Sequence, residues 1–326
     1  MSIQDPIDFA AQNRLRTIVG RTTELAPLKP VAAKAIALAE DERSATMDLA
    51  AVLSADPALT ARLLRLSNSA YYGYARRIST VREAVVLLGT RTVRSVAIAA
   101  GVMEALKLPE VPGFSRDLFW AHGVAVGLVA EAIARATRIA RPEDAFTAGV
   151  IHDVGKLAMM LVEPDLFRDT VELVNHDGQT FREAELHTFG VTHEAIGARL
   201  ARRWKFPELL VTAIRGHHAP LPEDGLHTLE QVLHAADLAC NRVGMAAGFD
   251  WTCVEERHSE EPLPVQAEEA LARVHGGLAT LQEKAHSFLI HVATRPPQWY
   301  TLPRERVELA GEEEDADGDG EALHVA

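Results

Sequence analysis

The sequence predicts an all-α protein. Ala and Leu abound while aromatic residues reach only 6%. Long stretches repeat apolar residues at helical spacing, and no convincing run of strands interrupts them. At 326 residues the chain suffices for one large domain or two modest ones.

Residues 1–20 suggest a short amphipathic helix, and LAPLKP (25–30) an extended lead-in punctuated by proline. Helical spacing resumes in VAAKAIALAE. In SADPALTARLLRLSNSAYYG, Asp56 suits an N-cap and Pro57 the first helical position, where no N–H is missed. Leu59, Leu63, Leu64 and Leu66 then face a core. The run TVREAVVLLGTRTVRSVAIAAGVMEAL reads as two helices broken near Gly89, with Thr90 as the cap. KLPEVPGF (107–114), with two prolines and a glycine, marks a boundary between an N-terminal and a C-terminal helical subdomain. Beyond it come helical segments carrying His122, then His152 and Asp153, then His193, His217 and Asp237. Residues 265–293 form one more helical region, and RPPQWYTLP closes the fold. The expected division is thus 1–20, 21–106, 107–245, a helical extension over 246–305, and an acidic tail over 306–326.

Composition narrows the function. Apolar residues at 48% and charged residues at 24% describe a globular protein. Cys240 and Cys253 are too few for a disulfide framework. Neither a signal peptide nor an uninterrupted apolar run of about 18 residues is seen, so a cytoplasmic protein without a membrane partner is expected. The formal net charge of −13 disfavours nucleic acid. GEEEDADGDGE (311–321) holds seven acidic side chains and is expected to be disordered. Its Asp315, Asp317 and Asp319 imitate a calcium loop, but Ala326 stands where a bidentate glutamate is needed.

Several polar residues are stranded on segments that otherwise read as core: His122, His152, Asp153, His193, His217, His218 and Asp237. Imidazoles and carboxylates suit divalent metals, and a cation offsets the cost of burying so many polar groups. His152 and Asp153, read as neighbours on one helix, lie about 100° apart around it. They reach one cleft from two sides, with Asp153 able to bridge two ions. Lys156 shares the face of Asp153 and is placed to hold a phosphate oxygen. Gly155 admits a substrate or another helix. His122 and Asp237 would close a first metal site, and His193, His217 and His218 would supply a second. Such a centre supports hydrolysis without a serine or cysteine nucleophile. Plainer roles compete. His217 and His218 suit a helix C-terminus, Lys156 suits a surface ion pair, and His234 suits an ordinary partly buried histidine. Asn68 and Ser69 suit backbone satisfaction over ligand contact. Arg62, Arg65, Arg76, Arg77, Arg91 and Arg94 suit a solvated face, or else an acidic partner or nucleotide.

His122, the His152–Asp153 pair and Asp237 resemble the H…HD…D signature of the HD superfamily of metal-dependent phosphohydrolases. More narrowly, LAPLKPVAAKAIAL, SADPALTARLLRLSNSAYYG, STVREAVVLLG, IHDVGKLAM, FGVTHEAIGARLARRWKFPELLVTAIRGHH and HAADLA resemble, in order over roughly residues 20–245, the HDOD family of bacterial signalling output domains. The resemblance implies an all-helical fold whose C-terminal subdomain is HD-like, and a free-standing signal-transduction protein. It implies one or two divalent ions (Fe, Mn, Zn, Mg or Ni) on His122, His152, Asp153, His193, His217, His218 and Asp237. Asp153 and Lys156 would be catalytic, and a nucleotide or other phosphate ester the ligand. Signalling proteins are the expected partners, and a non-catalytic regulatory module is the alternative. His193, His217 and His218 also match the additional histidines of the HD-GYP group, which hydrolyses cyclic di-GMP. Ala219 replaces that group's glutamate, and Gly-Tyr-Pro is missing.

Overall fold

The computed structural model describes residues 16–18, 20–21, 27–28, 30–38, 45–69, 76–106, 108–177, 179–243 and 261–292. Most of the expected 1–20 helix, Tyr71, Tyr72, Cys253, RPPQWYTLP and the acidic tail lie outside them. Among the described residues there is no strand, only an isolated bridge between Val111 and Phe114.

The first group of helices is α1 (Pro30–Ala37), α2 (Ala45–Ser54), α3 (Pro57–Ser67), α4 (Val81–Leu88) and α5 (Thr90–Ala105). Asp56 caps α3 by accepting from the Ala58 and Leu59 N–H groups, both at 3.0 Å. Thr80 caps α4 through the Glu83 N–H. Gly89, at φ 85°, turns the chain by 118° between α4 and α5. Thr90 is therefore the first helical residue of α5 and not its cap, because Gly89 already holds the cap position. Asn68 and Ser69 are structural. Asn68 bonds the Leu64 carbonyl and both polar groups of the Ile78 backbone, and Ser69 bonds the Leu66 carbonyl. Arg62 departs from the expected solvated face. It is buried and pairs with Glu104 at 3.2 Å.

The second group is α6 (Arg116–Thr137), α7 (Pro142–Ile151), α8 (Val154–Val162), α9 (Pro164–His176), α10 (Phe181–Thr188), α11 (His193–Arg203), α12 (Glu208–Gly216) and α13 (Leu229–Arg242). The long α6 is the spine, and α7 and α13 pack along it. Its crossing with α7 is backbone-close: a Cβ on Gly149 would stand 2.3 Å from Gly127 Cα. By length and composition, Arg116–Thr137 and Pro142–Val162 are apolar enough to cross a membrane. Here that apolar surface is consumed by helix packing, with 94% of the second window buried inside the protein. The second group meets the first through α5 on α7, where Thr147 donates to Ser95 across the buried contact at 2.8 Å.

The last helical region is built of two helices. α14 (Val265–Ala272) and α15 (Gly277–Val292) are separated by a turn with Gly276 and Gly277 at positive φ. Both pack on α6, and α15 also reaches α3. Cys240 is buried and free, and its burial pushes the thiol well above its usual pKa.

Candidate metal centre

Five pieces of chain build the centre. α6 supplies His122, the turn between α7 and α8 supplies His152 and Asp153, and α11 begins with His193. His217 and His218 follow α12, and α13 supplies Asp237. The expected unbroken helix through the His152–Asp153 pair is not what forms. α7 ends at Ile151 and α8 starts at Val154, so the pair sits in a turn between two apolar helices. His152 keeps right-handed helical dihedrals, and the chain leaves helical geometry at Asp153, at φ −90° and ψ 6°.

All seven sequence-predicted residues come together. His122, His152, Asp153, His193, His217 and Asp237 are each at most 5% exposed, and His218 is half-buried. His122 Nε2 lies 3.0 Å from Asp237 Oδ1, and His152 Nε2 lies 3.4 Å from Asp153 Oδ2. His193 Nε2 lies 3.1 Å from Asp153 Oδ1 and 3.2 Å from His217 Nε2, which is itself 3.7 Å from Asp153 Oδ1. The His217 and His218 ring centroids are 4.1 Å apart.

The other ring nitrogens fix the tautomers. His152 Nδ1 donates to the Gly149 carbonyl, His217 Nδ1 to the Ile214 carbonyl, and His193 Nδ1 to Glu185, at 2.7, 2.7 and 2.8 Å. Each Nδ1 therefore carries a hydrogen, and each Nε2 atom is turned toward the others and toward carboxylate oxygens. Lone pairs facing lone pairs repel unless a cation or proton lies among them. Asp153 Oδ1 is buried and has no hydrogen-bond partner unless a proton or cation sits between it and His193 Nε2, 3.1 Å away. Donor atoms on one ion with bonds of about 2.0–2.2 Å stand about 3–3.5 Å apart, the spacing seen for most of these pairs. The donor set thus fits a divalent metal on the residues' own geometry.

The electrostatics agree. Burial pushes the His152 imidazole down to about 3, so it is neutral and ligand-ready at ordinary pH. Burial alone would raise the Asp153 carboxyl, but His152, Lys156 and His193 outweigh it and hold it well below the usual range. Asp237 is held low against its burial by His122. For His193 the desolvation cost is outweighed by Glu185 and Asp153, which lift it to about 10. Lys156 is buried and donates to Asp153 Oδ2 at 2.6 Å, with its ammonium 5.0 Å from the Phe181 ring centroid. It is therefore not the surface ion pair that one reading allowed. Gly155 meets a helix, since a Cβ there would lie 1.9 Å from the His193 carbonyl oxygen. His234 is buried, donates to the Ala219 carbonyl and keeps the ordinary role.

Sequence reading missed Glu185 and Glu194. Both are buried beside His193, and Arg182 donates to Glu194 Oε1 at 2.9 Å. A signal for Glu185 existed. It stands on one helical stripe with Phe181 and Phe189, an acid stranded among apolar residues as the histidines are.

The chain is similar to known proteins over most of its described length. The family described as HDOD domain matches residues 25–220. An uncharacterised Treponema pallidum protein is 30% identical over 177 residues, covering 52% of this chain. The chain spans about a third of that relative's length (33%). Among solved structures, an HDOD-domain protein of unknown function from Geobacter sulfurreducens is 25% identical with a TM-score of 0.68. The match covers 85% of this chain and 98% of that one. A Shewanella amazonensis protein provisionally named a phosphohydrolase is 27% identical with a TM-score of 0.63, covering 82% and 98%.

Proposed function

The chain belongs to the HDOD domain family, and from that premise we propose that it is a signalling-output protein whose HD-type centre holds divalent metal and hydrolyses a phosphate ester. A nucleotide is the expected class of substrate. One observation carries the reading: the Nε2 atoms of His152, His193 and His217 are aimed at each other and at the Asp153 and Asp237 oxygens. His122, His152, Asp153 and Asp237 would hold one ion. His193, His217 and His218 would hold a second, with Asp153 common to both. A divalent ion bound there would polarise phosphoryl oxygens and bring the pKa of a bound water toward neutrality.

The chain's own residues do the positioning. Lys156 fixes the direction of the Asp153 carboxylate and keeps further N–H donors for a phosphate oxygen. The Phe181 ring lies against that ammonium, its centroid 5.0 Å from Nζ. His218, the half-buried member, marks the side from which a phosphate would approach. Mn- or Fe-loaded protein is expected to hydrolyse a generic phosphodiester. Its His152→Ala variant should fall below about one hundredth of that rate, since losing a ligand exceeds the 10–100-fold effect of outer partners. Undiminished activity in the variant would remove the site from the chemistry.

Proton release gives an independent check. At pH 7 the metal-free chain keeps a second proton on His193, whose folded pKa is raised to about 10. Metal must displace that proton to use Nε2. Calorimetric titration with Mn²⁺ in buffers of different ionisation enthalpy should report about one proton released per ion on this histidine, and affinity should rise with pH. Binding without proton release would contradict the assignment.

A second reading is a regulatory module that binds partners without turnover, favoured by Ala219 at the glutamate position of the HD-GYP pattern and by the missing Gly-Tyr-Pro element. Bound metal together with no hydrolysis across a nucleotide and cyclic-dinucleotide screen would support that reading.

A further inference from the structure

We propose that Glu185 is the positioning residue for the metal centre: its carboxylate holds His193 so that Nε2, and not Nδ1, is presented to the ion. The inference rests on the metal role proposed above for His193. Glu185 lies on α10, fully buried at 0% exposure. Its Oε2 takes two hydrogen bonds from one residue, the His193 ring Nδ1–H at 2.8 Å and the His193 backbone N–H at 2.9 Å. Ring and backbone of His193 are thereby referenced to the same oxygen, which fixes the side-chain torsions as well as the tautomer.

The second of these bonds has a structural use. α11 starts at His193, and Thr192, its N-cap residue, makes no side-chain capping bond. An N–H of the first turn is satisfied instead by a carboxylate from another helix, where negative charge is also favoured by the helix dipole. One oxygen thus caps the helix and aims the ligand it carries. A carboxylate on Nδ1–H also makes Nε2 a stronger donor to metal.

A third ion held by Glu185, His193 and Glu194, whose donor atoms lie within 4.8 Å of one another, is disfavoured by the same contacts. His193 Nδ1 carries a hydrogen directed at Glu185, Oε2 of Glu185 is already doubly engaged, and Glu194 Oε1 is taken by Arg182. Packing does not explain the acid either. Phe181 and Phe189 flank it on the same stripe, and an apolar residue there would avoid the cost of Oε1, buried with no hydrogen-bond partner.

The test uses the full chain with Glu185→Ala and Glu185→Gln, read by zinc titration and by NMR of ring-¹⁵N-histidine protein with and without zinc. In the wild type the His193 Nδ1 proton should be protected from exchange in both states. Glu185→Ala should lose that protection and bind zinc about 10–100-fold more weakly. Glu185→Gln keeps an acceptor oxygen without the charge, so it should keep the ring proton while binding zinc about 3–10-fold more weakly. The proposal is overturned if folded Glu185→Ala keeps both the protected proton and wild-type zinc affinity. Should that variant not fold, wild-type affinity in Glu185→Gln overturns it. A wild-type chain without zinc affinity would sink the metal reading itself. That outcome is distinct from wild type and variants binding zinc equally well, which sinks only the role of Glu185.

Discussion

Replacing Asp153 with alanine is expected to leave under about a tenth of the wild-type metal content and to cost the metal-free protein about 3–5 kcal/mol, the range for breaking a buried ion pair. Lys156 is the reason for the second effect. Its ammonium is buried against Asp153 Oδ2 at 2.6 Å, and without that oxygen an uncompensated charge remains inside the protein. Asp153 is also the carboxylate that touches both histidine sets, through His152 on one oxygen and through His193 and His217 on the other. Urea unfolding and elemental analysis read the two effects separately. The double variant Asp153→Ala with Lys156→Met removes the stranded charge, so it should recover much of the lost stability and none of the metal. If Asp153→Ala were as stable as wild type, the buried pair would not be contributing as described. The pH dependence has a definite sign. Because Asp153 is held well below the usual carboxylate range, its contribution is present above about pH 4 and is lost as the pH falls further. His152 adds to acid sensitivity, since the unfolded imidazole takes a proton near 6.5 and the buried one only near about 3.

Gly155→Ala is expected to destabilise the chain by about 3 kcal/mol or more, beyond the usual overpacking range, and to weaken metal binding with it. The added Cβ would stand 1.9 Å from the His193 carbonyl oxygen, 2.7 Å from its carbon and 2.8 Å from the Gly197 nitrogen. All three are backbone atoms, so no rotamer change relieves the contact, and α11 must move away from α8. Alanine's better helix propensity returns only about 1 kcal/mol. Moving α11 carries His193 away from Asp153, which links packing to function. Gly197→Ala makes a useful comparison. Its Cβ would meet Ile214 Cγ2 at 3.0 Å and the Gly155 nitrogen at 3.1 Å, so a smaller loss is expected. Thermal melts that ranked the two substitutions the other way would contradict this packing.

Much of the site was legible because burial of a polar side chain is visible as a violation of pattern. His122, His152, Asp153, His193 and Asp237 interrupt apolar periodicity, and the structure gathers them. Local rules also worked where the signal is local, as in the Asp56–Pro57 start of α3 and the Gly89 break. The rest failed for identifiable reasons. The turn at His152–Asp153 has apolar helical residues on both sides and no glycine or proline within it, so periodicity runs through the break. Thr90 resembles a cap in composition, yet Gly89 had already turned the chain. Arg62 reads as surface until Glu104, 42 residues away, pairs with it. Glu185 shares a stripe with Phe181 and Phe189, but its immediate neighbours in REAELHT are mostly polar and mask that stripe, and its partnership with His193 crosses from one helix to the next. Contacts of that kind depend on how helices pack, which no short-range spacing encodes.

The central claim is that these imidazoles and carboxylates are turned on one another because a divalent cation belongs among them. Elemental analysis of the full chain purified without chelator, with thermal melts in added Mn²⁺, Fe²⁺ and Zn²⁺, tests it most directly. The account predicts at least one equivalent of divalent metal per chain, or a rise in melting temperature as one of these ions binds the folded state. Less than about a tenth of an equivalent, with melts unmoved by any of the three ions, would contradict it.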